Sequence, residues 1–168
     1  MQTFLPYSDI KESLRVLDTK RLGKQRVEAY QIISAITKRP KKDGPPYKGW
    51  TNHPCSVMWK DYVPMLKLYY NLCIDEWVSR GYKNTMIKEE INESIIYPIW
   101  FGNKKFHDSH KSNLLKKDST FYSQYGWNVD PTNPYVWMDE KGEWYEQHSG
   151  EKGRVYFKNI LEEEFVLV

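Results

Sequence analysis

The sequence predicts a mainly α protein: a compact, helical bundle-like single domain with a small acidic C-terminal appendage that reads as β. Three observations carry this. Cap residues or apolar spacing mark four helices before residue 118. Strand-like patterning is confined to the chain after Pro134. The charge also changes sign: residues 1–126 hold 21 Lys/Arg against 13 Asp/Glu, a balance of +8, whereas residues 127–168 hold 4 against 9, a balance of −5. The expected division is therefore 1–127, a helical body, and 128–168, the acidic appendage.

The elements follow in order. A short helix is expected from about Ile10 to Leu17, with Ser8 or Asp9 as N-cap. Asp18 or Thr19 caps a second, to about Thr37. There Leu22, Ala29, Ile33 and Ile36 fall in one sector, and Arg21, Lys24, Glu28 and Gln31 share the adjoining one. Arg39–Tyr47 is a loop by its Pro and Gly content. His53 as cap, Pro54 at the first position and Gly81 after Arg80 frame a long third helix. Met58, Tyr62, Leu66, Tyr69, Cys73 and Trp77 form its buried stripe, and Pro64 should kink it. Residues 83–97 are ambiguous. A fourth helix is expected from Lys104 to Lys117, and Phe121–Trp127 (FYSQYGW) as an ordered loop. Beyond Pro134, two short strands flank Lys141-Gly142, and RVYFKNI is a third.

With 168 residues and 40% hydrophobic content, the chain can bury a single core, so disorder does not describe the whole. No apolar run approaches the roughly 18 residues of a membrane span. The N-terminus lacks a basic n-region and a long apolar stretch, so a soluble, intracellular (cytoplasmic) protein without a membrane partner is expected. Cys55 and Cys73 make neither a disulfide framework nor a CxxC pair, and fit a core role. The basic body suggests a polyanion partner, or equally a solvated basic surface. Seven Trp and thirteen Tyr serve either a core or stacking on bases; composition alone does not separate the two.

Glu28 is the first candidate for chemistry. Cations beside a carboxylate favour its charged form, which suits stabilising positive charge on a sugar or moving a proton. The alternative is an ordinary salt-bridge network on a helix. His107 and His110 share a helix face, but HxxH implies no third metal ligand, so phosphate contacts or hydrogen-bonded histidines are favoured over a metal. His53 either caps a helix or offers a polar group where amides attract phosphate.

The stretches MQTFLPYSD, LDTKRLGKQRVEAYQI, GWTNHP…MW, EWVSRGY and FHDSHKSNLLKKD with Tyr122 resemble the pyrimidine-dimer DNA glycosylases of the phage endonuclease V type, in their bacterial and viral branch. The resemblance spans about residues 1–127. It implies a monomeric DNA-repair enzyme that acts on damaged or modified double-stranded DNA without metal or other cofactor. Enzymes of this type attack the sugar with an N-terminal α-amine, form a Schiff base, and nick the strand by β-elimination, with one glutamate as key acid/base. That glutamate falls on Glu28. Arg21, Lys24 and Arg26 would contact phosphates, as would basic residues of the fourth helix (His107, His110, Lys111, Lys116, Lys117). His53 would match a histidine at the start of the long helix, and Tyr122, Tyr125 and Trp127 an aromatic lesion-contacting segment.

An α-amine titrates near about 7.7–8.0 and a lysine near about 10.4, so the former is the better nucleophile at neutral pH. In the phage enzyme a small second residue allows removal of the initiator Met. Here residue 2 is Gln, whose bulk should leave Met1 in place. The nucleophile is then the amine of Met1, or of Gln2 if Met1 is removed, or a side chain such as Lys24, or no Schiff base forms. A non-catalytic DNA-binding or partner-docking protein, and another DNA base-processing enzyme on the same scaffold, are the competing readings.

Overall fold

A computed structural model describes residues 1–160; the last eight residues of the expected appendage lie outside them. Six α-helices are present among these residues: α1 (Ile10–Arg15), α2 (Thr19–Ile36), α3 (Pro54–Trp59), α4 (Val63–Ser79), α5 (Lys104–Lys117) and α6 (Ser119–Tyr122). Strands β1 (Pro40–Lys41) and β2 (Gly44–Pro46) form one antiparallel pair. Strands β3 (Tyr135–Met138), β4 (Trp144–Ser149) and β5 (Val155–Ile160) form an antiparallel meander with β4 central. With 44% helix and 14% strand, the fold is mixed α and β, which corrects the expected mainly α, bundle-like architecture. Three of the six helices have six residues or fewer, too short to present the repeated apolar stripe on which a bundle depends.

Contacts divide the chain into two compact units. The first contains Met1–Phe4 and Asp9–Pro98; the second contains Leu5–Ser8 and, of the described residues, 99–160. Residue 127, the expected boundary, lies inside the second.

In the first unit, α2 packs on α4: Leu22, Ala29, Ile32 and Ile33 are buried, as are Met65, Leu66, Tyr69 and Cys73. Burial of each large aliphatic side chain contributes about 1.5–3 kcal/mol. Gly23 lies at a close approach, since a Cβ there would stand 3.1 Å from the Trp77 ring. The expected long third helix is two helices. Helical continuity breaks after Trp59, and Pro64 sits in the first turn of α4, where its missing N–H leaves no helical acceptor unpaired. The ambiguous stretch after residue 82 has no regular structure over 82–92; side chains fasten it. The Tyr70 hydroxyl donates to the Ile87 carbonyl at 2.7 Å, and Asn71 exchanges two hydrogen bonds with the Glu89 backbone. Arg39 grips the Glu89 carboxylate through both terminal nitrogens, at 2.8 and 2.9 Å.

In the second unit, Asn103 caps α5 by accepting from Phe106 N at 3.0 Å. The meander packs on this helix, with the Phe106 and Trp144 rings 6.4 Å apart and Lys105 3.4 Å from Glu146. The FYSQYGW segment is more regular than a loop. It spans the end of α6 and a 3-10 turn (Ser123–Tyr125), stopped by Gly126 at φ 60°. No helix of the described residues is long and apolar enough to cross a membrane.

Candidate active site

The N-terminal residues lie against α2. The Gln2 amide donates to Glu28 Oε2 at 3.2 Å, and the same oxygen accepts from Gln25 Nε2 at 3.3 Å. Gln25 continues the chain of contacts. Its Oε1 accepts from Phe4 N at 2.9 Å and from the Tyr69 hydroxyl at 2.6 Å. Thr3 N donates to its neighbour's side chain, Gln2 Oε1, at 2.9 Å, and the Thr3 hydroxyl accepts from Trp59 Nε1 at 2.9 Å. Residues 2–4 are thus tethered to α2, α3 and α4, and the Glu28 side chain, 19% exposed, stands where the chain begins.

His53 and Cys55 belong to the same neighbourhood. His53 Nδ1 accepts from Cys55 N at 3.1 Å, which is its expected capping role. Burial, with a smaller contribution from the positive charge at the N-terminus, pushes the His53 ring down to about 4, so the ring is neutral at pH 7. Burial pushes the Cys55 thiol up to about 11, against contacts to Thr3 and the N-terminal charge that lower it, with the Glu28 charge raising it. A thiol held protonated is no nucleophile, and Cys55 packs as core. Tyr69 is likewise raised well above its usual range by burial, which leaves its hydroxyl a dependable donor.

The three cations expected around Glu28 have different fates. Lys24 is open to solvent, with its amine 4.0 Å from Glu28 Oε1. Arg21 is turned to the helix start, where it pairs with Asp18 at 2.7 Å. Arg26 lies flat over the Trp77 indole, 3.9 Å from the ring centre, and donates to Asn84 Oδ1 at 2.8 Å. As placed, only Lys24 of the three presents its charge to an incoming polyanion.

The second unit holds the remaining expected contacts. His107 and His110 are both buried, and together they hold the backbone N–H and C=O of one residue, Leu5. His110 Nδ1 accepts from Leu5 N at 2.8 Å. His107 Nε2 accepts from Gly102 N at 2.9 Å, so its Nδ1 carries the proton and donates to the Leu5 carbonyl at 2.7 Å. Burial lowers both rings, His110 well below the usual range. Their first partner is therefore backbone, not phosphate, because buried rings cannot meet a phosphate without opening α5. Among the described residues no three His, Cys, Asp or Glu side chains gather as a ligand set. Lys111 pairs with Asp108 at 3.0 Å and lies over the Tyr7 ring, Lys116 donates to the Asn133 carbonyl, and Lys117 is exposed. Tyr122 is fully buried, with Trp127 stacked on it at 5.8 Å and Tyr125 stacked on Trp127 at 5.2 Å. Trp127 Nε1 donates to the Tyr7 hydroxyl at 2.7 Å. Of these three aromatics, Tyr125 and Trp127 keep partial exposure.

Of the residues that position the N-terminal segment, Gln25 and Thr3 were not singled out by the sequence, and Tyr69 was read only as part of a buried stripe. One signal existed: Gln25 is a polar side chain inside the apolar sector of α2, three residues before Glu28.

A helical unit that gathers its own N-terminus, a carboxylate and a neutral histidine is a candidate for chemistry on a polyanionic substrate. Residues 1–90 match the family model for pyrimidine dimer DNA glycosylase, more than half of the chain, and the protein belongs to that family. Its substrate is accordingly DNA, and its class of activity DNA repair by base removal. No curated protein and no solved structure matches the chain.

Proposed function

We propose that the protein is a glycosylase with associated lyase activity on pyrimidine dimers or other altered pyrimidines in duplex DNA, with the N-terminal amine as nucleophile and Glu28 as acid/base. The observation that carries this reading is the 3.2 Å contact between Gln2 N and Glu28 Oε2, which fixes the chain start beside the carboxylate. The amine of Met1 attacks C1′ of the damaged nucleotide, the new C–N bond replaces the glycosidic bond, and the base departs with its bonding pair. The sugar ring then opens to a protonated Schiff base. Glu28 stabilises the positive charge that develops on the sugar, accepts the proton that the amine gives up after attack, and returns it to O4′ as the ring opens. Loss of the C2′ proton expels the 3′ phosphate and nicks the strand; water then releases the amine. Were Met1 removed, Gln2 N would itself be the amine, already within hydrogen-bond distance of Glu28. Lys24 is a third possible amine, 4.0 Å from Glu28 Oε1, but exposed.

Reaching C1′ requires a kinked or unstacked duplex, and a crosslinked dimer is already poorly stacked. Binding through phosphates gives affinity that falls with salt. Glu28→Gln is the direct test. It should abolish base release and nicking while leaving affinity for dimer-containing duplex within about threefold, since phosphate contacts supply most of the binding. Nicking at the wild-type rate would refute the role.

A further inference from the structure

The connection between α2 and α3 carries cations and aromatics that the reaction centre does not use. Lys38, Lys41, Lys42 and Lys48 are exposed. The ribbon β1–β2 pairs Lys41 with Gly44 and Pro40 with Pro46, so Lys41 and Lys42 sit at its tip. Its base is closed by Tyr47 N donating to the Arg39 carbonyl at 2.9 Å, and Arg39 is itself anchored on Glu89. The result is a short projecting ribbon, fixed at the root, whose tip carries Lys41 and Lys42 beside one carboxylate, Asp43, a net positive charge.

The ribbon leads to Trp50. Its side chain is 49% exposed and its backbone is left-handed, at φ 65°, a conformation that a bulky residue rarely takes. Gly49 immediately before it has no such φ, so the strain falls on the indole-bearing residue. Trp50 is held there from the α3 side: its carbonyl accepts from His53 N at 3.1 Å, and its ring stands edge-on to the His53 ring at 5.5 Å. A strained, exposed aromatic beside the histidine that caps α3 is better suited to meeting a ligand than to building the core. The neighbouring ammonium groups make that ligand anionic, and the flat indole suits a base.

We propose that residues 38–50 form a DNA-engaging arm, in which Lys41, Lys42 and Lys48 meet backbone phosphates while Trp50 stacks on a base unpaired at the damaged site. The placement of that base rests on the reading of Glu28 and the N-terminal amine as the reaction centre. An indole stacked on that base keeps it from re-pairing and so holds the duplex open at the damaged site. Stacking of this kind tolerates any base identity, so the arm contributes to lesion recognition without reading sequence.

The test uses the full chain and a duplex with one cyclobutane pyrimidine dimer and 2-aminopurine opposite it. Wild-type protein should quench the probe on binding. Trp50→Ala should lose that quenching and about ten- to a hundredfold in kcat/KM, mostly through KM, while Trp50→Phe recovers activity to within about threefold. Lys41→Gln with Lys42→Gln should make the plot of log affinity against log salt shallower by about 1.8. Trp50→Ala with wild-type quenching and kcat/KM would overturn the stacking role. So would a folded Trp50→Phe protein as impaired as the alanine variant, with circular dichroism reporting the fold of each. An unchanged salt slope would overturn the phosphate role. Glu28→Gln measured in parallel separates the two readings: wild-type nicking by that variant sinks the reaction centre, whereas a Trp50 result bears on the arm alone.

Discussion

Gln2 and Glu28, 26 residues apart in sequence, meet through a 3.2 Å hydrogen bond from the Gln2 amide to the Glu28 carboxylate. The contact couples structure to chemistry, since the same oxygen also accepts from Gln25. Glu28→Ala should therefore destabilise the protein by about 1–3 kcal/mol, through the Gln2 donor left without its acceptor. Glu28→Gln keeps an acceptor oxygen and should cost less than about 1 kcal/mol. Urea denaturation of the two variants checks this; equal losses would mean that the N-terminal residues do not depend on the carboxylate.

Tyr69 supports the same assembly from α4. Its buried hydroxyl donates to Gln25 Oε1 at 2.6 Å, with the Phe4 carbonyl 3.1 Å away. Tyr69→Phe should cost about 1–3 kcal/mol, because two buried acceptors lose a donor without any change in packing volume. The shift in urea midpoint at constant slope measures it.

Lys24 and Arg26 are two residues apart and should behave differently. Lys24→Gln should reduce the salt slope of DNA binding by about 0.9 and leave stability within about 0.5 kcal/mol. Arg26→Gln should leave the salt slope unchanged and lower stability by about 1 kcal/mol, since its guanidinium covers Trp77 rather than meeting solvent. Binding isotherms at three salt concentrations, with denaturation curves alongside, distinguish the pair.

Acid should weaken the fold before the carboxylates titrate. His53, His107 and His110 are all held below their ordinary value of about 6.5, chiefly by burial. Above pH 6.5 both folded and unfolded chains carry them neutral, and they add no pH dependence. Below it the unfolded chain binds protons that the folded chain refuses, so stability is lost as pH falls from about 6.5 towards 4. Each excluded proton contributes a slope of up to about 1.4 kcal/mol per pH unit. Urea midpoints at pH 7, 6 and 5 should fall in step, and His110→Asn should flatten the trend. A midpoint constant from pH 7 to 5 would contradict the buried, neutral assignment.

The sequence made some of this legible and hid the rest for physical reasons. Caps at Asp9, Asp18 and His53 are local, and their side chains bond amides two or three residues on, so the helix starts could be read. Glu28 stood out because it shares a helix face with cations, yet nothing local says that Arg26 folds onto Trp77, 51 positions away. The HxxH spacing in α5 correctly put His107 and His110 on one face. That both rings bond the backbone of Leu5 depends on a segment about a hundred residues earlier. The bundle-like expectation failed where the helix stopped at Trp59 and Pro64 came to lie in the first turn of a new one instead of kinking it, and where a three-stranded meander packed on α5. Residues 83–97 read as ambiguous because side chains, not periodic backbone bonds, hold the first part of that stretch.

The most direct measurement is borohydride trapping on a duplex carrying a single cyclobutane pyrimidine dimer, followed by peptide mass spectrometry. The account predicts a covalent adduct on the N-terminal peptide, at the amine of Met1 or, if Met1 has been removed, of Gln2. It also predicts that Glu28→Gln traps little or none. An adduct on the peptide bearing Lys24, or strand nicking with no trapped species, would contradict it.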